Sequence, residues 1–101
     1  MRPIHIASLD KARPVVLLTR EIAVPHVSRV TVAPVTGQIR GLSTEVLLDA
    51  RNGVDSPCVI SCDNITTILR SDLGRVIGFL REDQETDLKS AISSAFALDF
   101  T

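Results

Sequence analysis

The sequence predicts a mainly β protein of the α+β class, a small, partly closed β-barrel that ends with one α-helix. Five to seven short apolar runs of the strand type follow one another from Arg2 to about Leu80, separated by turn residues. The hydrophobic period then changes to that of a helix. Strands followed by a single late helix favour a barrel over an α/β nucleotide-binding fold. At 101 residues, we expect one domain over residues 1–101.

The first two strands are indicated by their apolar residues. Residues 4–7 form a short run, and residues 14–19 form an unbroken apolar run, as in a strand that is buried on both faces. The connection between the runs is short and centres on Asp10, Lys11 and Ala12, which favours a tight hairpin.

The next strands are bounded by turn residues. Residues 29–35 alternate between polar and apolar side chains, which is typical of a strand with one buried face. The pairs Arg40-Gly41 and Asn52-Gly53 then indicate turns. The remaining runs that predict strands are residues 44–48, 58–62 and 76–80.

The last segment predicts a C-terminal helix. Its apolar residues recur at helical spacing and fall on one face: Leu88, Ala91, Ile92, Ala95 and Phe96. Acidic residues crowd the start of this segment, where the dipole of a helix favours negative charge: Glu82, Asp83 and Glu85. The period and the charges therefore indicate the same element.

The composition excludes several classes of protein. The chain has no apolar segment long enough to span a membrane and no signal-peptide pattern, so we expect a cytoplasmic protein without membrane contact. Cys58 and Cys62 are expected to be reduced thiols, since a zinc site would need two further ligands. Because no nucleotide-binding or metalloprotease motif occurs, we expect no cofactor and no metal site.

The distribution of charge and the hydrophobic content indicate partners. Residues 1–42 hold six basic and two acidic side chains, a balance of +4, and residues 43–101 hold five basic and ten acidic ones, a balance of −5. A basic and an acidic region can therefore coexist. Hydrophobic residues make up 45% of the chain, so we expect part of the apolar surface to face a second copy in a homodimer.

Three polar residues stand at the margins of the predicted strands. Arg13 opens the run 14–19, Thr36 closes the third strand, and Asp63 follows the run 58–62. An arginine fork, a hydroxyl and a carboxylate suit a phosphate diester, because they can bind its oxygens and accept a proton. The alternative is structural: Arg13 on the surface, Thr36 as a turn former and Asp63 as a cap for backbone amides.

Five blocks of sequence occur in register over about residues 4–98. They are RPVV at 13–16, VAPVTG at 32–37, RGLSTEV at 40–46, VISCDN at 59–64 and LGRVIG at 73–78. In order and spacing these blocks resemble the MazF/PemK (Kid) toxins of bacterial type II toxin–antitoxin systems. The resemblance implies a homodimeric SH3-like barrel of the CcdB/PemK type. It also implies an endoribonuclease that cuts single-stranded RNA without a metal ion, inhibits translation and growth, and is neutralised by a MazE-like antitoxin.

The resemblance assigns roles to the three polar residues. Arg13 and Thr36 match the catalytic Arg and Thr of the family, and Asp63 matches the general base of its Kid-like branch. The implied reaction is an attack of the RNA 2′-hydroxyl on the adjacent phosphorus, which leaves a 2′,3′-cyclic phosphate and a 5′-hydroxyl. DNA lacks the attacking group. Arg13 would stabilise the charge on the phosphate oxygens, and Thr36 would orient the phosphate.

The chain departs from the family pattern at two places. The first loop is reduced to little more than Asp10, Lys11 and Ala12, so this loop offers fewer residues that could bind the substrate. Ser61 stands where the Kid-like branch has Arg, so the donor of a proton to the leaving oxygen is unassigned. Lys11 and His26 are the candidates, the latter because imidazole suits acid–base chemistry near neutral pH.

RNA contacts are expected from loop residues. The chain has no Trp and no Tyr, so stacking on aromatic side chains does not dominate recognition. Besides Lys11 and His26, the candidates for RNA binding are Arg20, Gln38 and Arg40, for which a solvated loop is the alternative. We expect the antitoxin to bring a flexible, acidic C-terminal segment that pairs with basic groups of residues 1–42.

Two other functions are alternatives. A CcdB-like toxin shares the barrel but binds DNA gyrase through a C-terminal tail that contains Trp, whereas residues 99–101 of this chain read Asp-Phe-Thr. A plain interaction barrel would have no need to combine Arg13, Thr36 and Asp63.

Overall fold

The computed structural model describes residues 1–98, which form seven β-strands and one α-helix, with four short 3-10 helices between them. The strands are β1 Pro3–Ser8, β2 Ala12–Leu17, β3 Arg29–Thr36, β4 Glu45–Leu48, β5 Cys58–Ser61, β6 Thr66–Leu69 and β7 Leu73–Phe79, and the helix is α1 Glu82–Ala95. The 3-10 helices are Glu21–His26, Ala50–Asn52, Cys62–Asn64 and Arg70–Asp72. Residues 99–101, on which the comparison with gyrase-binding toxins drew, lie outside the described residues.

The strands form one sheet in the order β4-β5-β3-β2-β1-β7, and β6 pairs with β3 beside that path. Every pair in this sheet is antiparallel. The long strand β3 pairs with β6 over Arg29–Val32 and with β5 at Val35 and Thr36. Because one strand serves two neighbours in succession, the sheet curves into a partly open barrel, as the sequence predicts.

The core lies on both faces of β2 and β3. Successive side chains of a strand point to opposite faces, and Val15 and Leu17 accordingly join one buried cluster while Val16 joins another. The first cluster also contains Val30 and Val32 of β3. The prediction that the second strand is buried on both faces is therefore confirmed.

Helix α1 packs against the second cluster through the face that its apolar period predicts. Leu88 and Ala91 are 2% and 1% exposed, and Ile92 and Ala95 pack against the cluster as half-buried side chains. The prediction is wrong for Phe96, which is 55% exposed. The helix ends at Ala95, so Phe96 has left the helical path and no longer points along the buried face.

A pair of buried amides ties the start of α1 to the barrel. Asn52 and Gln84 are 0% and 3% exposed, and each side chain donates a hydrogen bond to the other. Beside them the turn at Asn52 touches the backbone of β7: a side chain at Gly78 would overlap the carbonyl oxygen of Asn52. Gly53 has a φ of +85°, a left-handed conformation that glycine adopts without strain. Glycine is therefore required at both positions.

The sequence did not predict β6 or the 3-10 helices. β6 reads Thr-Thr-Ile-Leu and only Ile68 is even half-buried, so it has neither the apolar run nor the clear alternation that indicates a strand. β7 begins at Leu73, three residues before the predicted start at Val76. The sequence missed these residues because they include Gly74 and the exposed Arg75, which interrupt the apolar run. Cys58 and Cys62 are buried and not bonded to each other, which confirms the expected free thiols. No helix within residues 1–98 has the length and hydrophobicity to cross a membrane.

Candidate active site

A cleft of about 420 Å³ opens at the edge of the barrel where β2 begins and β3 ends. Arg13, Thr36 and Asp63, the three residues that the sequence singles out, all line this cleft. They come from β2, from β3 and from the 3-10 helix after β5. Residues that are 50 positions apart in the chain thus share one hollow.

The strand register explains this convergence. Val15 of β2 lies opposite Pro34 of β3, and the two strands run in opposite directions. Arg13 stands two residues before Val15 and Thr36 two residues after Pro34, so the same register carries both to one edge and one face. Asp63 arrives there because β5 pairs with the end of β3. The cleft therefore forms where the apolar face of these strands ends.

Arg13 is held by an acidic neighbour across the hairpin turn. Its Nε donates to Asp10 Oδ1 at 2.8 Å and its Nη2 donates to Asp10 Oδ2 at 3.1 Å. The hydrogen bond from Arg13 holds the pKa of Asp10 at about 2, and Asp10 in turn raises the pKa of Arg13 above its already high value. Both groups are therefore ionised throughout the neutral range, which makes the Arg13 guanidinium better suited to bind an anion than to release a proton.

Thr36 combines a turn contact with a free donor. Its Oγ1 accepts a hydrogen bond from the backbone N–H of Gln38 at 3.2 Å, the turn-forming contact that the structural alternative predicts. The hydroxyl hydrogen is not used by that bond, so Thr36 can still donate to an oxygen in the cleft.

Asp63 is oriented by a side chain from the loop that precedes β4. Thr44 Oγ1 donates to Asp63 Oδ2 at 2.7 Å, and the backbone oxygen of Thr44 accepts from the N–H of Cys62 at 3.0 Å. The carboxylate thus has one oxygen bonded to Thr44, and Oδ1 is left to act as an acceptor. Burial and the charge of Asp63 raise the pKa of the adjacent Cys62 thiol to about 11, so this thiol is neutral at physiological pH.

Part of the wall of the cleft is a loop that Glu45 organises. Glu45 Oε1 accepts hydrogen bonds from three successive backbone N–H groups, those of Arg40, Gly41 and Leu42, at 3.1, 2.8 and 3.2 Å. Gln38 and Arg40 line the cleft from this loop. The placement of these two predicted RNA-binding residues is therefore set by an acidic residue outside the loop.

The other predicted RNA-binding residues do not line the cleft. Lys11 is exposed in the hairpin turn next to Asp10, and His26 is exposed at the end of a 3-10 helix. Arg20 borders a different hollow of about 530 Å³, between the start of β1 and the start of α1. Of the five, only Gln38 and Arg40 share the cleft with Arg13.

Sequence reasoning missed four polar residues of the cleft and its support. Asp10, Glu45 and Asn64 line the cleft, and Thr44 holds Asp63. Asn64 donates to Ser61 Oγ at 2.8 Å, at the position where the Kid-like branch has Arg. Asp10 was open to prediction, because an acid three residues before an arginine across a tight turn can reach it. Thr44, Glu45 and Asn64 depend on the path of a loop that periodicity does not describe.

The cleft holds three carboxylates and two guanidinium groups. The carboxylates belong to Asp10, Glu45 and Asp63, and the guanidinium groups to Arg13 and Arg40. Within residues 1–98 there is no group of three or more His, Cys, Asp or Glu side chains placed to hold a metal ion. Binding of an anionic ligand therefore depends on the arginines and on donors that the carboxylates leave free.

Comparison with known proteins agrees with this architecture. Residues 4–96 match the family described as PemK-like, MazF-like toxin of type II toxin-antitoxin system. "Endoribonuclease MazF3" of Mycobacterium tuberculosis is 60% identical over 100 residues, which cover 99% of this chain and 97% of that protein. The solved structure "Mycobacterium tuberculosis toxin MazF-mt6" is 60% identical, with a TM-score of 0.94 over 98% of this chain and 100% of that chain.

A distant structure shows that the fold extends beyond close relatives. It is named "Endoribonuclease in complex with its cognate antitoxin from Mycobacterial species" and is 19% identical, with a TM-score of 0.86 over 98% of this chain and 95% of that chain. The predicted CcdB/PemK-like barrel and the predicted family are both confirmed. By sequence and by fold, this chain belongs to the PemK-like, MazF-like toxins of type II toxin–antitoxin systems.

Proposed function

We propose that this chain is an endoribonuclease toxin that cleaves single-stranded RNA and is neutralised by a cognate antitoxin. The observation that carries the proposal is the convergence of Arg13, Thr36 and Asp63 in one cleft. A relative with 60% identity over nearly the whole chain is named an endoribonuclease, which supports the same activity here. Cleavage of cellular RNA would stop translation and growth.

The chemistry of the cleft suits a transesterification. The RNA 2′-oxygen forms a bond to phosphorus, its proton passes to Asp63 Oδ1, and the bond from phosphorus to the 5′-oxygen breaks. The products are a 2′,3′-cyclic phosphate and a 5′-hydroxyl. Arg13 faces the phosphate oxygens with the N–H donors that Asp10 does not use, and the Thr36 hydroxyl adds a donor that orients the phosphate. The residues of this chain supply a base and an anion site without needing a metal ion.

The leaving 5′-oxygen needs a proton from a group that can release one. Arg13 does not fit, because the Asp10 carboxylate raises its pKa still further. Neither Lys11 nor His26 lines the cleft, but Lys11 adjoins Asp10, which does, and Lys11 is therefore closer to the cleft along the chain than His26. We propose Lys11 as the donor, with His26 as the second choice.

The partners follow from the relatives. A distant structure is named an endoribonuclease in complex with its cognate antitoxin, and another is named MazE-MazF from Deinococcus radiodurans. We propose a MazE-like antitoxin with an acidic C-terminal segment for this chain, a homodimer as the active form, and the cytoplasm as its place of action. An acidic segment would compete with RNA phosphates for Arg13 and Arg40.

The test is a comparison of RNA with DNA. The purified protein is incubated in EDTA with a mixed single-stranded RNA and with DNA of the same sequence. We expect cleavage of the RNA alone, with 5′-hydroxyl and cyclic phosphate ends, and loss of cleavage in Arg13→Ala and Thr36→Ala while circular dichroism shows both variants to be folded at the assay temperature. Cleavage that EDTA abolishes would contradict the metal-independent mechanism. Intact RNA together with inhibited DNA gyrase would replace the proposal with the CcdB-like alternative.

A further inference from the structure

We infer that Glu45 is a positioning residue that sets RNA affinity and the choice of cleavage site, because it holds the loop of residues 37–43 as one wall of the cleft. This inference rests on the proposed function. It concerns a residue that neither the apolar pattern of β4 nor the match with the catalytic Arg and Thr assigns to the site.

The contacts of Glu45 are concentrated on one atom. Oε1 accepts from the N–H groups of Arg40, Gly41 and Leu42, and the backbone N–H of Glu45 donates to the Leu42 oxygen at 3.1 Å. Three successive N–H groups that point at one oxygen form a concave anion site in the backbone. Here a side chain of the same protein fills that site, so the carboxylate fixes the fold of the loop.

The backbone of this loop adopts the required conformation only with a glycine at its centre. Gly41 has a φ of +73°, in the left-handed region, and a Cβ there would meet no atom within 4 Å. An alanine at this position would therefore strain the backbone without a steric clash. The Gly41 position offers a second, independent way to perturb the same loop.

The side chains that this loop contributes to the cleft can recognise RNA but do not belong to the proposed reacting centre. Gln38, Arg40 and Leu42 line the cleft from it, while Arg13 and Asp63 come from other elements. An amide and a guanidinium can hydrogen-bond to the edge of an unstacked base, which is how proteins read single-stranded RNA. Glu45 has no hydrogen bond to Arg13, Thr36 or Asp63 among the described residues. Its effect on binding should therefore separate from an effect on the chemical step.

A loop that is fixed beforehand loses less conformational freedom when RNA binds. Without the Glu45 carboxylate, three backbone N–H groups lose their partner and the loop samples other conformations. RNA must then order it, which weakens binding, and Gln38 and Arg40 discriminate less well between bases. The structure thus predicts weaker and less selective binding together with an intact reacting centre.

The experiment measures kcat and KM on one short RNA and maps the cut positions on a long mixed RNA. The variants are Glu45→Ala, Glu45→Gln and Gly41→Ala, with the exposed Glu21→Ala as the matched control. For Glu45→Ala we expect KM to rise about tenfold, kcat to stay within about twofold, and additional cut positions to appear. Glu45→Gln keeps an accepting oxygen and should restore much of the affinity. Gly41→Ala should change KM in the same direction as Glu45→Ala.

The possible failures can be told apart. RNA left intact by the unmodified protein overturns the proposed function and this inference with it. RNA cut by Glu45→Ala with unchanged KM and unchanged cut positions overturns the inference alone. A fall in kcat at constant KM also overturns it, because Glu45 would then act on the reacting groups. If Glu45→Ala does not fold, Glu45→Gln and amide hydrogen exchange at residues 40–42 decide: unchanged exchange and unchanged KM contradict the positioning role.

Discussion

The side chains of Asp10 and Arg13 pair across the turn between β1 and β2 through two hydrogen bonds of 2.8 and 3.1 Å. Both hydrogen bonds are donated from one edge of the guanidinium plane, the edge that carries Nε and Nη2. A guanidinium has five N–H donors, so three are left for a ligand. Asp10 therefore aims Arg13 into the cleft and does not neutralise it completely. This relationship is the basis for the first two predictions.

Removal of the aiming carboxylate should lower activity less than removal of the arginine. We expect kcat/KM to fall about tenfold in Asp10→Asn, because the asparagine keeps the shape but loses the charge-assisted pair. In Arg13→Ala we expect a fall of about 10²–10³, typical of the loss of a donor to a charged transition state. Arg13→Lys should recover little, since an ammonium group cannot form both bonds of the fork.

The control for this series is Arg51→Ala. Arg51 also bonds an aspartate, Asp49, at 3.2 Å on the surface, but it does not line the cleft. Its loss should leave kcat/KM unchanged. Equal losses in Arg51→Ala and Arg13→Ala would show that a general change of surface charge, and not the cleft, determines activity.

The pH dependence of the Asp10 pair has a definite sign. The hydrogen bond from Arg13 lowers the pKa of Asp10 from 3.8 to about 2 in the folded protein. A lowered pKa stabilises the fold above pH 4, and that contribution is lost as the pH falls from about 4 to about 2. Urea unfolding should therefore show a stability difference between the native protein and Asp10→Asn that shrinks over this window. A difference that grows over this window would contradict the pairing, and kcat/KM should show no titration of Asp10 between pH 5 and 8.

The hydroxyl of Thr44 should matter through Asp63. Thr44→Val keeps the shape but removes the donor at 2.7 Å, so the carboxylate loses its orientation. A hydrogen bond to a charged group contributes about 1.5 kcal/mol or more, so we expect kcat to fall about tenfold. Thr44→Ser keeps the hydroxyl but lacks the methyl group, and it should restore kcat. If Thr44 acted only through packing of its methyl group, Thr44→Ser would not restore kcat. Equal activity of the valine and serine variants would contradict this role.

The sequence predicts the strands of the site better than it predicts the connections between them. Apolar runs place Arg13 and Thr36 at strand ends, and the antiparallel register then brings those ends together. The same patterns say nothing about the loop that Glu45 folds, because its shape depends on backbone N–H groups meeting a carboxylate five residues away or fewer. Local hydrogen bonds of this kind have no period, so no window of hydrophobicity can detect them.

Burial of polar residues was the other feature that pattern reading missed. Gln84 follows the charged Glu82 and Asp83 at the start of α1 and gives no apolar signal, yet it is 3% exposed. Its partner Asn52 stands next to Gly53, where the sequence indicates a turn on the surface. Both are buried because each satisfies the other, a reason that exists only after the helix has docked.

The Asn52–Gln84 pair leads to the last prediction. Asn52 also donates to the Phe79 oxygen at 2.9 Å and Gln84 to the Leu47 oxygen at 3.1 Å, so the two amides connect the ends of two strands with the first turn of α1. Replacement of either residue removes both hydrogen bonds between the two amides and leaves a backbone oxygen without its amide donor. We expect a loss of about 2–4 kcal/mol in the free energy of unfolding for Asn52→Ala or Gln84→Ala.

Urea unfolding measures the loss of stability in these variants. The control is Asp87→Ala, because Asp87 lies exposed on the same helix. This control should change the free energy of unfolding by less than about 0.5 kcal/mol. The double variant should lose less than the sum of the single losses, since each single variant already removes the two hydrogen bonds between the amides. Additive losses would show that the two amides act separately. RNA cleavage per folded molecule at low temperature should be unchanged, because neither amide lines the cleft. Reduced activity in a fully folded Gln84→Ala protein would mean instead that the docking of α1 controls the shape of the cleft.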